Sequence, residues 1–239
     1  MKKKLLALLA ATALLASLGA GALAADTQAP EGDVGMGGPG FLANDVTEAD
    51  WFYNAVVTVL NDSIMANDDE GNFNPQQVMT RQQIAVALYN DANVRGKEAL
   101  VTEGGNAFQE APDYGQIAPD AVEAMGFCYN AKILTGDDKG NLNPGSPVSR
   151  QEMAALLQRY CAQVKIGDSA AGGMAIREFS DYDAIQEWAR GSITFCLGNA
   201  ILKGNADGSY GPTGSVTRAQ CAQMLTNMME LASAPEAGE

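Results

Sequence analysis

GNFNPQQVMTRQQIAVAL, residues 71–88, is written again as GNLNPGSPVSRQEMAALL from Gly140 and as GSYGPTGSVTRAQCAQML from Gly208. Arg81, Arg150 and Arg218 stand 69 and 68 residues apart, as do Pro75, Pro144 and Pro212. A period that long, with no gap inside the shared segment, makes each copy one supersecondary module and the fold an assembly of three. Within a copy, Gly71, Gly140 or Gly208 supplies a positive backbone angle for a tight turn. An apolar residue follows (Phe73, Leu142, Tyr210), and a proline delays the helix. Thr80, Ser149 and Thr217 then read as N-caps, with Gln83, Glu152 and Gln220 three residues on, a capping box in every copy. Behind each cap the apolar residues fall at helical spacing, as in Ile84, Ala87 and Leu88.

The arginine of each copy sits at the first helical position. Unpaired backbone N–H groups and the positive end of the helix dipole favour an anion there. A guanidinium adds a planar fork of donors suited to a carboxylate or phosphate. The competing structural role is a salt bridge to an Asp of the preceding loop, such as Asp68, Asp137 or Asp207.

Working outward, residues 1–24 carry Lys2, Lys3 and Lys4, an apolar run from Leu5 and an Ala22-Leu23-Ala24 cleavage site, which reads as a secretory signal peptide. Its removal takes three lysines and no acids, so the formal charge goes from −14 to −17. That acidity argues against nucleic acid and, once the signal is cleaved, against an anionic membrane as partners. With 46% hydrophobic residues the chain has ample material for a shared core.

Residues 25–40 form a flexible Gly-rich leader. The repeats take 41–93, 108–163 and 179–230, and 231–239 is a disordered tail. In the first repeat Thr47 or Asp50 caps a helix carrying Trp51, Ala55, Val56, Val59 and Leu60, and a second helix runs from Thr80 to about Asn93. The second repeat opens with a helix from about Pro119 through Leu134. The third opens near Ala184 with Trp188, Ile193 and Leu197 on its stripe.

The sequence offers little of the chemistry of catalysis. Its 29 acids leave open only a two-carboxylate glycosidase, and the repeats leave no room for a catalytic domain. There is no His, hence no Ser-His or Cys-His dyad, and there is no phosphate-cradling glycine loop. The acidic turns resemble the start of a calcium loop, but Met79 and Val148 stand where a bidentate Glu belongs, and no zinc spacing exists, so neither metal nor cofactor is expected. Cys128, Cys161, Cys196 and Cys221 read as buried thiols, with within-repeat disulfides Cys128–Cys161 and Cys196–Cys221 as the alternative.

FSDYDAIQEWARGSITFCLGNAILKGNADGSYGPTGSVTRAQ, residues 179–220, has an aromatic-Asp start and a Trp opening the first helix. A glycine loop with an Asp-Gly turn and a Thr-Arg-Ala helix start complete it. In this the chain resembles the S-layer homology (SLH) domains of bacterial surface proteins, over Phe41 to Glu230. The resemblance implies an all-α fold, three helix-loop-helix SLH repeats in a pseudo-threefold helical bundle with ligand grooves between adjacent repeats. It further implies a secreted, non-catalytic cell-wall anchoring protein at the cell surface. Its partner would be a cell-wall polysaccharide or peptidoglycan-linked polymer, most often one bearing pyruvate ketals, with surface-layer proteins as further partners.

On that resemblance the ligand carboxylate meets Arg81, Arg150 and Arg218, and Trp51 and Trp188 offer a sugar-stacking face. Gly136 and Gly204 let a sugar approach the backbone. The second repeat departs from the pattern with Asp120 in place of the Trp, and the first with Ala66 and Asn67 in place of the Thr-Gly or Lys-Gly pair. Arg218, Trp188 and Gly204 of the third repeat are therefore the leading expectation. Replacing Arg218 and Arg150 by Ala is expected to abolish wall binding and leave the fold intact. A self-assembling surface-layer protein and a cell-wall hydrolase are the rival classes.

Overall fold

The capping boxes form in full at Ser149 and Thr217, where the hydroxyl accepts the N–H of Glu152 or Gln220. At Thr80 only the Gln83 half is made, and all three set the start of a helix. The N–H of Ser149 is bonded to Glu152 Oε2 and that of Thr217 to Gln220 Oε1, while Gln83 Oε1 accepts the N–H of Thr80. In a computed structural model describing residues 43–96, 106–168 and 176–233, six α-helices are present. They are α1 (Tyr53–Asn61), α2 (Arg81–Val94), α3 (Val122–Asn130), α4 (Arg150–Val164), α5 (Glu187–Gly198) and α6 (Arg218–Ser233). No sheet forms among the described residues, so the all-α reading holds. The signal peptide, the leader and residues 234–239 of the tail lie outside the described residues, as do 97–105 and 169–175, while residues 231–233, expected in the disordered tail, continue α6. No described helix is long and apolar enough to cross a membrane.

The first helix of each repeat is shorter than the periodicity suggests. Trp51 precedes α1 rather than riding on it. A short 3-10 turn at Pro119–Ala121 precedes α3, and another at Tyr182–Ala184 lies upstream of α5, which begins at Glu187. At the far end, Ser63, Lys132 and Ala200 are left-handed, with φ of 57°, 59° and 55°. The N–H of the next residue then reaches back to the helix, Ile64 to Val59 O, Ile133 to Cys128 O and Ile201 to Cys196 O. This closes a helix without glycine. Ile64, Ile133 and Ile201 are fully buried behind it, each stabilising the joint by about 1.5–3 kcal/mol.

The packing unit is not the repeat. Each first helix lies on the second helix of the repeat before it: α3 on α2, α5 on α4 and, closing the circle, α1 on α6. This is why the within-repeat disulfides do not form. Cys128 of α3 donates to Ala85 O of α2, and Cys196 of α5 donates to Ala154 O of α4. All four cysteines are free and buried, and burial pushes the thiols of Cys161 and Cys221 up to about 12.

The segments just ahead of α2, α4 and α6 meet in the middle of the molecule. Met79 N–H donates to Val216 O, Val216 N–H to Val148 O and Val148 N–H to Met79 O, at 2.9–3.1 Å. This three-membered ring of backbone bonds lies among buried side chains, where an unpaired amide would be costly. The neighbouring amides follow the same rule. Arg81 N–H donates to Ser146 O, Arg150 N–H to Gly214 O and Arg218 N–H to Gln77 O, and the residue after each Arg donates to Pro144 O, Pro212 O or Pro75 O. Each helix thus has its first amides satisfied by the next repeat, and the open anion-binding helix end expected from the sequence is not there.

Candidate functional site

Each repeat's turn is held by an aspartate, which in the third repeat is the Asp181 of the aromatic-Asp start and in the others, Asp45 and Asp113, was not singled out by the sequence. The carboxylate of Asp45 accepts the N–H groups of Phe73 and Asn74, that of Asp113 those of Leu142 and Asn143, and that of Asp181 those of Tyr210 and Gly211, all at 2.7–2.8 Å. The amides of Phe73, Leu142 and Tyr210 are thereby fixed and their carbonyls aimed at an arginine of another repeat. Gly71, Gly140 and Gly208 all take φ near +80°, as the turn demands.

The three arginines use those carbonyls. Arg81 donates from Nε to Leu142 O (2.9 Å) and from Nη2 to Thr135 O (2.9 Å). Arg150 donates to Tyr210 O (2.8 Å) and Lys203 O (3.0 Å), and Arg218 to Phe73 O (2.6 Å) and Ala66 O (2.6 Å). Arg150 also lies over the Tyr210 ring at 4.9 Å and Arg218 over the Phe73 ring at 4.6 Å. Burial holds Arg81 and Arg218 below the ordinary arginine range.

The salt bridge to the preceding Asp is not made. The single ion pair among the described residues joins Arg95 to Asp91, and Asp68, Asp137 and Asp207 instead accept hydrogen bonds within their own turns. Half of each guanidinium therefore ties one repeat to the next.

In front of each arginine is a groove, and each groove takes residues from all three repeats. The first, about 600 Å³, brings Arg81 together with Gly136 and Arg159 of the second repeat and Trp188 of the third. Another, about 720 Å³, brings Arg150 together with Lys203 and Gly204 of the third repeat and Trp51 of the first. The last, about 360 Å³, holds Arg218, Ala66 and Asn90 of the first repeat and Asp120 of the second. Arg218, Trp188 and Gly204, taken from the sequence as one site, are thus distributed one to each groove. Trp51 and Trp188 remain 65% and 55% exposed, so neither is a core residue.

The loop glycines line their grooves, and each also has a steric reason that the sequence does not suggest. A Cβ on Gly204 would stand 2.3 Å from Phe179 Cε1, and one on Gly136 would stand 3.2–3.4 Å from the backbone of Gly140 and Asn141. Their missing side chains make room for the protein itself.

Three matches to the S-layer homology domain model fall on residues 44–85, 112–154 and 178–222, together more than half of the chain. The chain belongs to the S-layer homology family. Its repeats are 24% identical, over 187 residues, to an amylopullulanase of Thermoanaerobacterium thermosulfurigenes; the match covers 78% of this chain and 9% of that protein. A surface-layer 125 kDa protein of Lysinibacillus sphaericus is 27% identical over 137 residues, 56% of this chain and 10% of that protein. S-layer protein EA1 of Bacillus anthracis is 38% identical over 55 residues, 23% of this chain and 6% of that protein. The chain spans less than a fifth of the length of the relatives it matches most strongly.

Proposed function

We propose that the chain is a non-catalytic anchoring protein of the bacterial cell surface. It binds an acidic, pyruvate-ketal-bearing polysaccharide of the cell wall in the grooves between its S-layer homology repeats. The observation that carries this reading is the pairing, in two of the three grooves, of an oriented guanidinium with a tryptophan left more than half exposed. A carboxylate suits the fork and a pyranose ring suits the indole face. The surface-layer proteins among its relatives support a place at the cell surface, and the three S-layer homology matches that span its repeats support a binding role.

The test is co-sedimentation of the chain with purified wall sacculi, before and after mild acid treatment that removes ketal pyruvate. Because the arginines also join the repeats, the variant of choice is Trp51→Ala with Trp188→Ala. Wall binding is expected to be lost in that variant with the unfolding temperature unchanged, and to be lost by the wild type on acid-treated walls. Binding indifferent to both would overturn the reading. Large particles formed without wall material would favour a self-assembling surface-layer protein, and soluble sugar released from sacculi a hydrolase.

A further inference from the structure

The three grooves share one plan, but their ionisable linings differ in sign. The groove at Arg150 has Arg150 and Lys203 and no lining carboxylate, a formal +2. The groove at Arg81 sets Arg81 and Arg159 against Asp137, Asp138 and Glu152, a formal −1. The groove at Arg218 sets Arg218 against Asp120 and sums to zero. The cause lies in single positions of the repeat: Thr135, Asp137, Asp138, Glu152 and Arg159 of the first groove give way to Lys203, Asn205, Ala206, Gln220 and Asn227 in the second, and Asp120 stands in the third where the pattern has tryptophan.

We propose that the grooves are unequal and that the one between Arg150, Lys203 and Trp51 is the site of the acidic sugar, one per chain. This rests on the wall-anchoring reading above. The chain carries a formal charge of −14, so an anion is repelled by most of its surface and finds net attraction only where cations stand without matching carboxylates. This groove is also twice the volume of the one at Arg218.

Its two recognition elements are held before the ligand arrives. Arg150, only 9% exposed, is fixed by Tyr210 O and Lys203 O, and the Trp51 ring stands edge-on against buried Phe52 at 5.2 Å. Such preorganisation reduces the ordering cost of binding. At the Arg218 groove no indole face is offered, and Asp120 repels the same carboxylate that Arg218 attracts. Asp120 is thus a specificity-determining residue that closes that groove to anions.

The chain's two tryptophans report on two different grooves, which makes the assignment measurable. The probe is a methyl hexopyranoside carrying a 4,6-pyruvate ketal, with its uncharged methyl ester as control. In Trp188→Phe, where Trp51 is the only indole, the acid is expected to change the emission saturably and the ester to bind at least tenfold more weakly. In Trp51→Phe, where Trp188 reports, the same concentrations are expected to have no effect. Lys203→Glu, an exposed change that spares the backbone bonds of Arg150, is expected to weaken the Trp51 titration roughly three- to tenfold. Calorimetry of the wild type is expected to give one site per chain.

Two or three sites per chain, an equal response of Trp188, or equal binding of the ester would each overturn the assignment. So would silence at Trp51 in a chain that still pellets with walls, an outcome that leaves the anchoring reading standing. Failure to bind either the probe or the wall removes that reading and this one with it.

Discussion

Arg218, at the start of the last helix, donates from Nε to the carbonyl of Phe73, 145 residues earlier, at 2.6 Å. With its second bond, to Ala66 O, it joins the third repeat to the first, as Arg81 joins the first to the second and Arg150 the second to the third. A residue that the sequence offers as a ligand contact is therefore equally a tie in the scaffold. The expectation that arginine can be removed without touching the fold does not survive that geometry.

Arg218→Ala removes two charge-assisted hydrogen bonds and strands two carbonyls, a loss of about 2–4 kcal/mol. Chemical denaturation is expected to show it as a lower midpoint. Arg218→Lys, which retains the charge but not the fork, is expected to recover less than half of the loss. Equal midpoints for Arg218→Ala and the wild type would mean the ring is not held at this joint.

Gly204→Ala places a Cβ inside the van der Waals radius of Phe179, a buried ring that must shift, at about 1–3 kcal/mol. Gly136→Ala meets only a tight backbone contact, and a smaller loss is expected. The comparison is made by denaturant titration of the two variants beside a wall-pelleting assay. Were these glycines there to admit a sugar, both variants would keep wild-type stability and lose binding. The expected pattern is the reverse.

Acid should act through the turns. Asp68 is held below the ordinary aspartate range first by the backbone N–H of Asn72, Asp137 first by the side chain of Asn141, and Asp207 first by that of Ser209. A carboxyl whose folded value is depressed stabilises the fold above its unfolded value, near 3.8, and the contribution is lost as pH falls through the lower folded values. The unfolding temperature is expected to be level from pH 7 to about 5 and to drop below about 4, with Asp137→Asn flattening the drop. A decline beginning at pH 6 would contradict this assignment.

What the sequence discloses is what each residue does to its neighbours. The Ser149–Glu152 box, the positive φ of Gly140 and the helical stripes behind the caps depend on residues no more than a few positions apart, and each formed as read. The site was harder because its partners are far away in the chain. Trp188 faces Arg81 across 107 positions and Trp51 faces Arg150 across 99, and neither pairing leaves a mark in either segment. Asp181 was visible in the aromatic-Asp start of the third copy, but its duty is to two amides 29 and 30 residues ahead. The left-handed ends of the first helices were hidden for a different reason: Ser63, Lys132 and Ala200 fill positions where glycine would have announced the stop.

The seam between α1 and α6 is of one kind with the seams between α2 and α3 and between α4 and α5, yet only the latter two are spanned by continuous polypeptide. Among the described residues all three seams use the same pairing of a first helix on the second helix of the preceding copy. A rearranged gene that began at the second or third copy and ran the first on behind the last would encode the same closed circle.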